Sequence, residues 1–191
     1  MIHAEGWEIF RLVQKIIRLL LKVTKLNTGR EIAVNNKHSQ DGNMVKMEKT
    51  ENSIHHDLQI LAPISKVYEA VTEPSHLINW WPQECSGKPE TGEVYNFVFT
   101  PEYNWYAKVI EASPPNKFHV KMTKSDSDWD PTSFGFNLQQ HEASVQVEFR
   151  HVGWPSCNAN FRRSSYCWAI LLKGLKDYLE KGVIVPFEER E

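Results

Sequence analysis

Apolar residues recur with two different periods along this chain. Between residues 160 and 181 the spacing is helical: Phe161, Trp168, Leu171, Leu172, Leu175, Tyr178 and Leu179 share one broad face, while Arg163, Lys173, Lys176, Asp177, Glu180 and Lys181 lie mostly on the other. Asn158 or Asn160 can cap the start, Gly182 stands where a left-handed terminating residue is wanted, and Pro186 prevents continuation. A helix of about 20 residues spans roughly 30 Å, enough to cross a small domain. Upstream the period is two. Segments 94–100, 105–111, 117–123, 133–139 and 143–152 each alternate, separated by turn-rich stretches at 101–104, 113–116 and 125–131. Strands joined by such short links are antiparallel neighbours. Tyr95, Phe97 and Phe99 share a face of their strand, as do Phe118, Val120 and Met122, then Phe134, Phe136 and Leu138, then Val145, Val147 and Phe149. One side of the sheet is therefore heavily aromatic, and its natural cover is the C-terminal helix.

The folded part opens with a strand over 55–61, where Leu58 and Ile60 alternate with polar residues. Two short helices follow within 62–82. Pro63 is tolerated in a first turn, and Ile64, Val67, Tyr68 and Val71 form an apolar stripe that Glu73 and Pro74 stop. Ser75 is expected to cap a second helix carrying Leu77, Ile78, Trp80 and Trp81, closed by Pro82. The pattern predicts an α+β domain over residues 54–185, an antiparallel sheet wrapped around one long C-terminal α-helix.

Two segments precede it. Residues 1–26 contain an amphipathic basic pattern, with Arg11, Lys15, Arg18, Lys22 and Lys25 along one helical stripe and Ile9, Leu12, Val13, Ile16, Leu19, Leu20 and Val23 around the rest. It could contact a membrane surface peripherally through residues 8–26, pack on the domain or a partner, or be a leader outside the mature protein. Residues 27–53 have the polar composition of a disordered linker. Met44 and Met47 lie within it, and translation starting at either would remove the leader.

Composition narrows the function classes. Lys+Arg 22 against Asp+Glu 24 leaves a formal charge of -2, so no global electrostatic footprint for nucleic acid exists. Cys85, Cys157 and Cys167 are an odd set without a Cys-x-x-Cys pair, which fits a reducing, cytoplasmic location better than a disulfide framework or a zinc site. Arg18 and Lys22 interrupt the most apolar region, which excludes a membrane-spanning helix there.

The stretch from Ala62 to Pro82 resembles the opening of the SRPBCC, or START-like, superfamily, in particular its branch named after the activator of the heat-shock protein 90 ATPase. The resemblance rests on Ala62-Pro63, the Val67-Tyr68 pair, Thr72 and Pro74, Leu77 and the Trp80-Trp81 pair. It continues at His151-Val152-Gly153-Trp154 after the last strand and at Trp168, Leu171, Leu172, Leu175, Tyr178 and Leu179 in the closing helix. It covers about residues 54–183. The resemblance implies a helix-grip fold, a curved antiparallel sheet gripping the last helix, with a cavity between them. A bent sheet and a straight helix do not close-pack along their full length, so an apolar gap is expected, commonly of about 300 to 1,000 Å³.

A small hydrophobic or aromatic ligand in that cavity is the leading expectation, lined by Trp80, Trp81, Tyr95, Phe97, Phe99, Trp105, Phe118, Phe134, Phe136, His151 and Trp168. These rings are equally the material of a core. His151 falls on the inward face and could orient a ligand oxygen or act as acid and base, or be held by backbone at a strand end. A cyclase- or hydrolase-like enzyme using His151, with Tyr95 or Glu148, is the alternative on the same fold. A chaperone ATPase-activating cofactor is the third, suggested by the branch's name. Glu148 and His151 have di-iron spacing, yet in a strand an offset of three points them to opposite faces. Alternation separates His55 from His56 in the same way. No metal motif, phosphate-cradling loop or nucleophile elbow is present, and no cofactor is expected. Cys167 is expected beside the helix's apolar face, with Cys85 and Cys157 in loops, and Arg162 and Arg163 on solvated surface in the helix's first turn.

Overall fold

The computed structural model describes residues 52–190. The expectations for the amphipathic segment and for the linker up to residue 51 lie outside the described residues. The elements are β1 (Asn52–Ile60), α1 (Ile64–Thr72), α2 (Pro74–Leu77), β2 (Glu84–Ser86), β3 (Val94–Thr100), β4 (Tyr103–Ser113), β5 (Lys117–Lys124), β6 (Ser133–His141), β7 (Ser144–Trp154), α3 (Ala159–Lys181) and a 3-10 turn at Phe187–Glu189. The strands form one antiparallel seven-stranded sheet in the order β1-β7-β6-β5-β4-β3-β2. This is the expected α+β helix-grip arrangement. Its curvature has a local cause, since register shifts between Asn52 and Ile54, Val98 and Thr100, Tyr106 and Ala107, and Val109 and Glu111 bend the strands that carry them.

α3 begins where its cap allows. The Asn158 side chain accepts a hydrogen bond from the Phe161 N–H at 2.9 Å, which settles the cap in favour of Asn158 over Asn160. Gly182, at φ 67°, closes the helix in the left-handed conformation that glycine adopts without a Cβ penalty. Trp168, Leu172 and Leu175 are its buried apolar residues, and they face the aromatic side of the sheet. Lys176 bridges to Glu180 at 2.6 Å, and Glu180 also accepts from the Leu61 N–H at 2.7 Å, so the end of β1 is tied to α3.

Several local expectations change. α2 stops at Leu77, with Pro74 in its first turn and Ser75 inside it, not at the cap. Trp80 and Trp81 therefore follow the helix in a turn, because Ile78 already closes it through hydrogen bonds to His76 and Pro74 carbonyls. β2 has only three residues and pairs with β3 alone, too short for periodicity to reveal. Cys85 lies on it opposite Phe97, not in a loop, and burial pushes its thiol up to about 12. Cys167 is exposed, because it stands one helical step of about 100° from the buried Trp168. Cys157 is in an exposed loop, as expected.

Candidate functional site

The inward residues of β7 are Val145, Val147, Phe149 and His151, all fully buried. Alternation would then point Trp154 outward. It does not, because Gly153 takes φ 83° and three residues of β7 span the distance covered by two of β1, Asn52 facing Trp154 and Ile54 facing His151. This bulge turns Trp154 back into the interior, where it is 2% exposed. It also explains why a glycine is needed: a Cβ on Gly153 would stand 3.0 Å from the Pro131 carbonyl oxygen.

His151 sits at the centre of a directed hydrogen-bond chain. The Trp168 indole Nε1–H can only donate, and it points at His151 Nδ1 from 3.0 Å. His151 Nδ1 is therefore the acceptor and Nε2 carries the proton, which it donates to Thr132 Oγ1 at 2.8 Å. The Thr132 hydroxyl in turn donates to the Trp129 carbonyl at 2.6 Å. Every side-chain polar atom of Trp168, His151 and Thr132 is thereby answered. Burial lowers the His151 pKa to about 3, so the ring is neutral. Glu148 is on the opposite face, bonded to Asn137 and Arg150 at 3.3 Å each. The Tyr95 hydroxyl donates to the Thr72 carbonyl at 2.7 Å and burial raises its pKa. Trp80 Nε1–H donates to the Ala70 carbonyl at 2.9 Å. The polar end of Tyr95 thus fastens α1 to the sheet and that of Trp80 fastens α1 to the turn after α2, and the acid-base candidates do not converge.

The aromatic candidates do converge. Trp81 contacts Phe97 at a centroid distance of 4.7 Å, Trp168 at 5.0 Å, Phe134 at 5.2 Å and Phe99 at 5.8 Å. Tyr95 joins through Phe97 at 5.7 Å and reaches Phe118 at 5.5 Å; Trp80 joins through Trp81 at 6.2 Å and reaches Phe136 at 6.4 Å. Phe99 carries the network to Trp105 at 5.1 Å, and Phe134 reaches His151 at 5.8 Å. All the rings expected to line a cavity belong to this one network between the sheet and α3. They pack on one another at centroid distances between 4.7 and 6.4 Å.

Residues 61–180 match the family described as Activator of Hsp90 ATPase homolog 1-like protein. The chain belongs to that family. Among solved structures, the Aha1 dimer from Colwellia psychrerythraea is similar at 28% identity and a TM-score of 0.63, covering 69% of this chain and 98% of that one. CalU16 from Micromonospora echinospora, at 16% identity and a TM-score of 0.57, covers 69% and 78%. DynU16, from the dynemicin biosynthetic locus, shows 19% identity and a TM-score of 0.57, covering 68% of this chain and 48% of its own. The last two show the fold alone. No curated protein matches the chain.

Two members of this buried cluster escape a reading by period. Trp129 lies in the β5–β6 connection, outside any alternating segment, yet it is 8% exposed and packs on His151 at 4.5 Å and Trp105 at 4.8 Å. Thr132, fully buried, precedes β6 and would pass for a turn residue. The only signal for either was an unpaired tryptophan inside an acidic turn, Asp126 to Pro131. On the outer face, a cleft of about 310 Å³ is lined by polar side chains such as Asn116, Asn137, Gln139 and Glu148, distinct from the aromatic interior. No group of three or more His, Cys, Asp or Glu side chains among the described residues is arranged to hold a metal ion. No helix among the described residues is long and apolar enough to cross a membrane.

Proposed function

We propose that this family member binds a small hydrophobic, aromatic molecule between the sheet and α3, the ligand entering by displacing side chains. The observation that carries this reading is the continuous aromatic network around Trp81, which offers ring faces from three sides: the turn after α2, the strands β3 to β6, and α3. Stacking on such faces is tolerant of ligand detail and needs few polar contacts. A cytosolic setting fits this reading.

A binding role is favoured over an enzyme. An acid-base histidine needs a nitrogen free to meet substrate, whereas both nitrogens of His151 are engaged and its burial opposes protonation. A thermal-shift screen of the full chain against fatty acids, flavonoids, sterols and polyketide-like aromatics tests the proposal, because a ligand that binds only the native state raises Tm by mass action. Aromatic compounds are expected to raise it. Silence across all four classes would overturn the reading and favour the second one, a chaperone partner, which the family match supports. Capture of this chain by the middle segment of the chaperone would support that second role, and its absence would remove it.

A further inference from the structure

The ring of Trp129 differs from every other ring in the network in how it is held. The others stand on strands, on α3 or in the turn fixed by Trp80; Trp129 stands on the loop between β5 and β6. Its indole lies between Trp105 at 4.8 Å, Trp154 at 5.8 Å and Trp168 at 6.1 Å, nearly parallel to the last with an interplanar angle of 30°. The loop is closed on itself, the Trp129 and Asp130 N–H groups both donating to the Asp126 carbonyl at 2.9 Å. It is clasped to the start of α3 by one side chain, Asp128, whose Oδ2 accepts from the amides of Asn158 and Asn160 at 3.2 Å each.

A second observation lies in the same place. Trp154 is 2% exposed, and its Nε1–H is buried without a hydrogen-bond partner. Buried donors are almost always answered, so an unanswered one beside a loop-borne ring calls for an acceptor. Trp129 offers none from its side chain, since an indole nitrogen only donates. The Trp129 and Trp154 rings lie 5.8 Å apart, so the flat bicyclic ring now seated there leaves the neighbouring donor unanswered.

We propose that Trp129 is a stand-in for the ligand: the slot its indole fills is the binding seat for a fused bicyclic aromatic bearing an acceptor oxygen, which Trp154 Nε1–H recognises when the loop lifts. This rests on the interior-ligand reading and names the seat, the ligand class and the residue that must leave.

The test uses the full chain with coumarin, which is bicyclic and carries a carbonyl, and naphthalene, which lacks one. Removing a side chain that occupies its own site restores the intrinsic affinity hidden by the occupied fraction, so Trp129→Ala is expected to bind coumarin about tenfold or more tightly than the unmodified chain. Coumarin should be preferred over naphthalene in Trp129→Ala, and that preference should vanish when Trp154→Phe is added. Coumarin should also shift the Trp154 indole N–H resonance of the unmodified chain, assigned by its loss in Trp154→Phe. Should Trp129→Ala lose its near-ultraviolet circular dichroism, Trp129→Leu keeps apolar volume and serves in its place. Equal coumarin affinity with and without the Trp129 ring, or a preference that survives Trp154→Phe, would overturn the proposal. If a screened aromatic still stabilises the chain in that event, the interior-ligand reading stands and only the seat is wrong. If neither coumarin nor any screened compound binds, both fall.

Discussion

Protonating His151 would place an N–H at Nδ1 directly against the Trp168 N–H that now donates to it. The cost is therefore geometric as well as dielectric, and both push the same way. In the unfolded chain the ring titrates near 6.5, whereas in the folded one its pKa falls to about 3. The unfolded state thus binds the extra proton between these values. The His151 contribution is fully present above pH 6.5 and is lost as pH falls towards 3, by about 1.4 kcal/mol per pH unit. Urea unfolding between pH 7.5 and 4.5 should show this slope in the native sequence and a shallower one in His151→Gln. Gly153 carries a second residue-scale prediction. Gly153→Ala puts a Cβ 3.0 Å from a backbone oxygen at φ 83°, and should cost about 1–2 kcal/mol in thermal unfolding, with a change in tryptophan emission as Trp154 shifts. His151 as inward-facing and Glu148 as outward-facing were legible from period two. The inward return of Trp154 was not, because a bulge breaks the very alternation that identifies a strand.

Among the elements, α3 was the most legible, since its caps, face and terminator are all written in local sequence. What local sequence leaves open is the second use of its first turn. Asn158 caps the helix with its oxygen and holds Asp128 with its nitrogen, while Asn160 does only the latter. Asn158→Ala should therefore lose about 1 kcal/mol of stability for the cap alone, measured by urea unfolding, and Asn160→Ala should lose less. Both should speed hydrogen exchange in the 125–131 loop, because each removes a donor to Asp128. The strands were legible wherever they run five residues or more with alternation. β2 was invisible because three residues hold no period, and Trp129 because its partners, Trp105, Trp154 and Trp168, are brought to it only by tertiary pairing.

At the scale of the molecule, β1 and β2 are consecutive in the chain yet form opposite edges of the sheet, so the segment carrying α1 and α2 must bridge the whole breadth of the grip. The bridge is fastened from behind by Arg190, which donates to the Ile78 carbonyl at 2.9 Å and to those of Trp81 and Pro82 at 3.3 and 3.4 Å. Arg190→Ala should destabilise the domain by about 1–3 kcal/mol and speed amide exchange at Trp80 and Trp81, read by hydrogen-exchange mass spectrometry. The seven-stranded order follows from short antiparallel links, but that bridge and its fastening depend on contacts more than a hundred residues apart in sequence, beyond the reach of any local pattern.

In the proposed seating, Trp129 would set a threshold for recognition. A side chain tethered beside its own slot competes at an effective concentration in the millimolar range, whatever else surrounds the protein. Weak apolar metabolites present at micromolar levels would lose to it by mass action. Only a molecule with stronger stacking, or with an oxygen that answers Trp154, would outcompete the resident ring, and discrimination would then come from a rival covalently attached to the receptor.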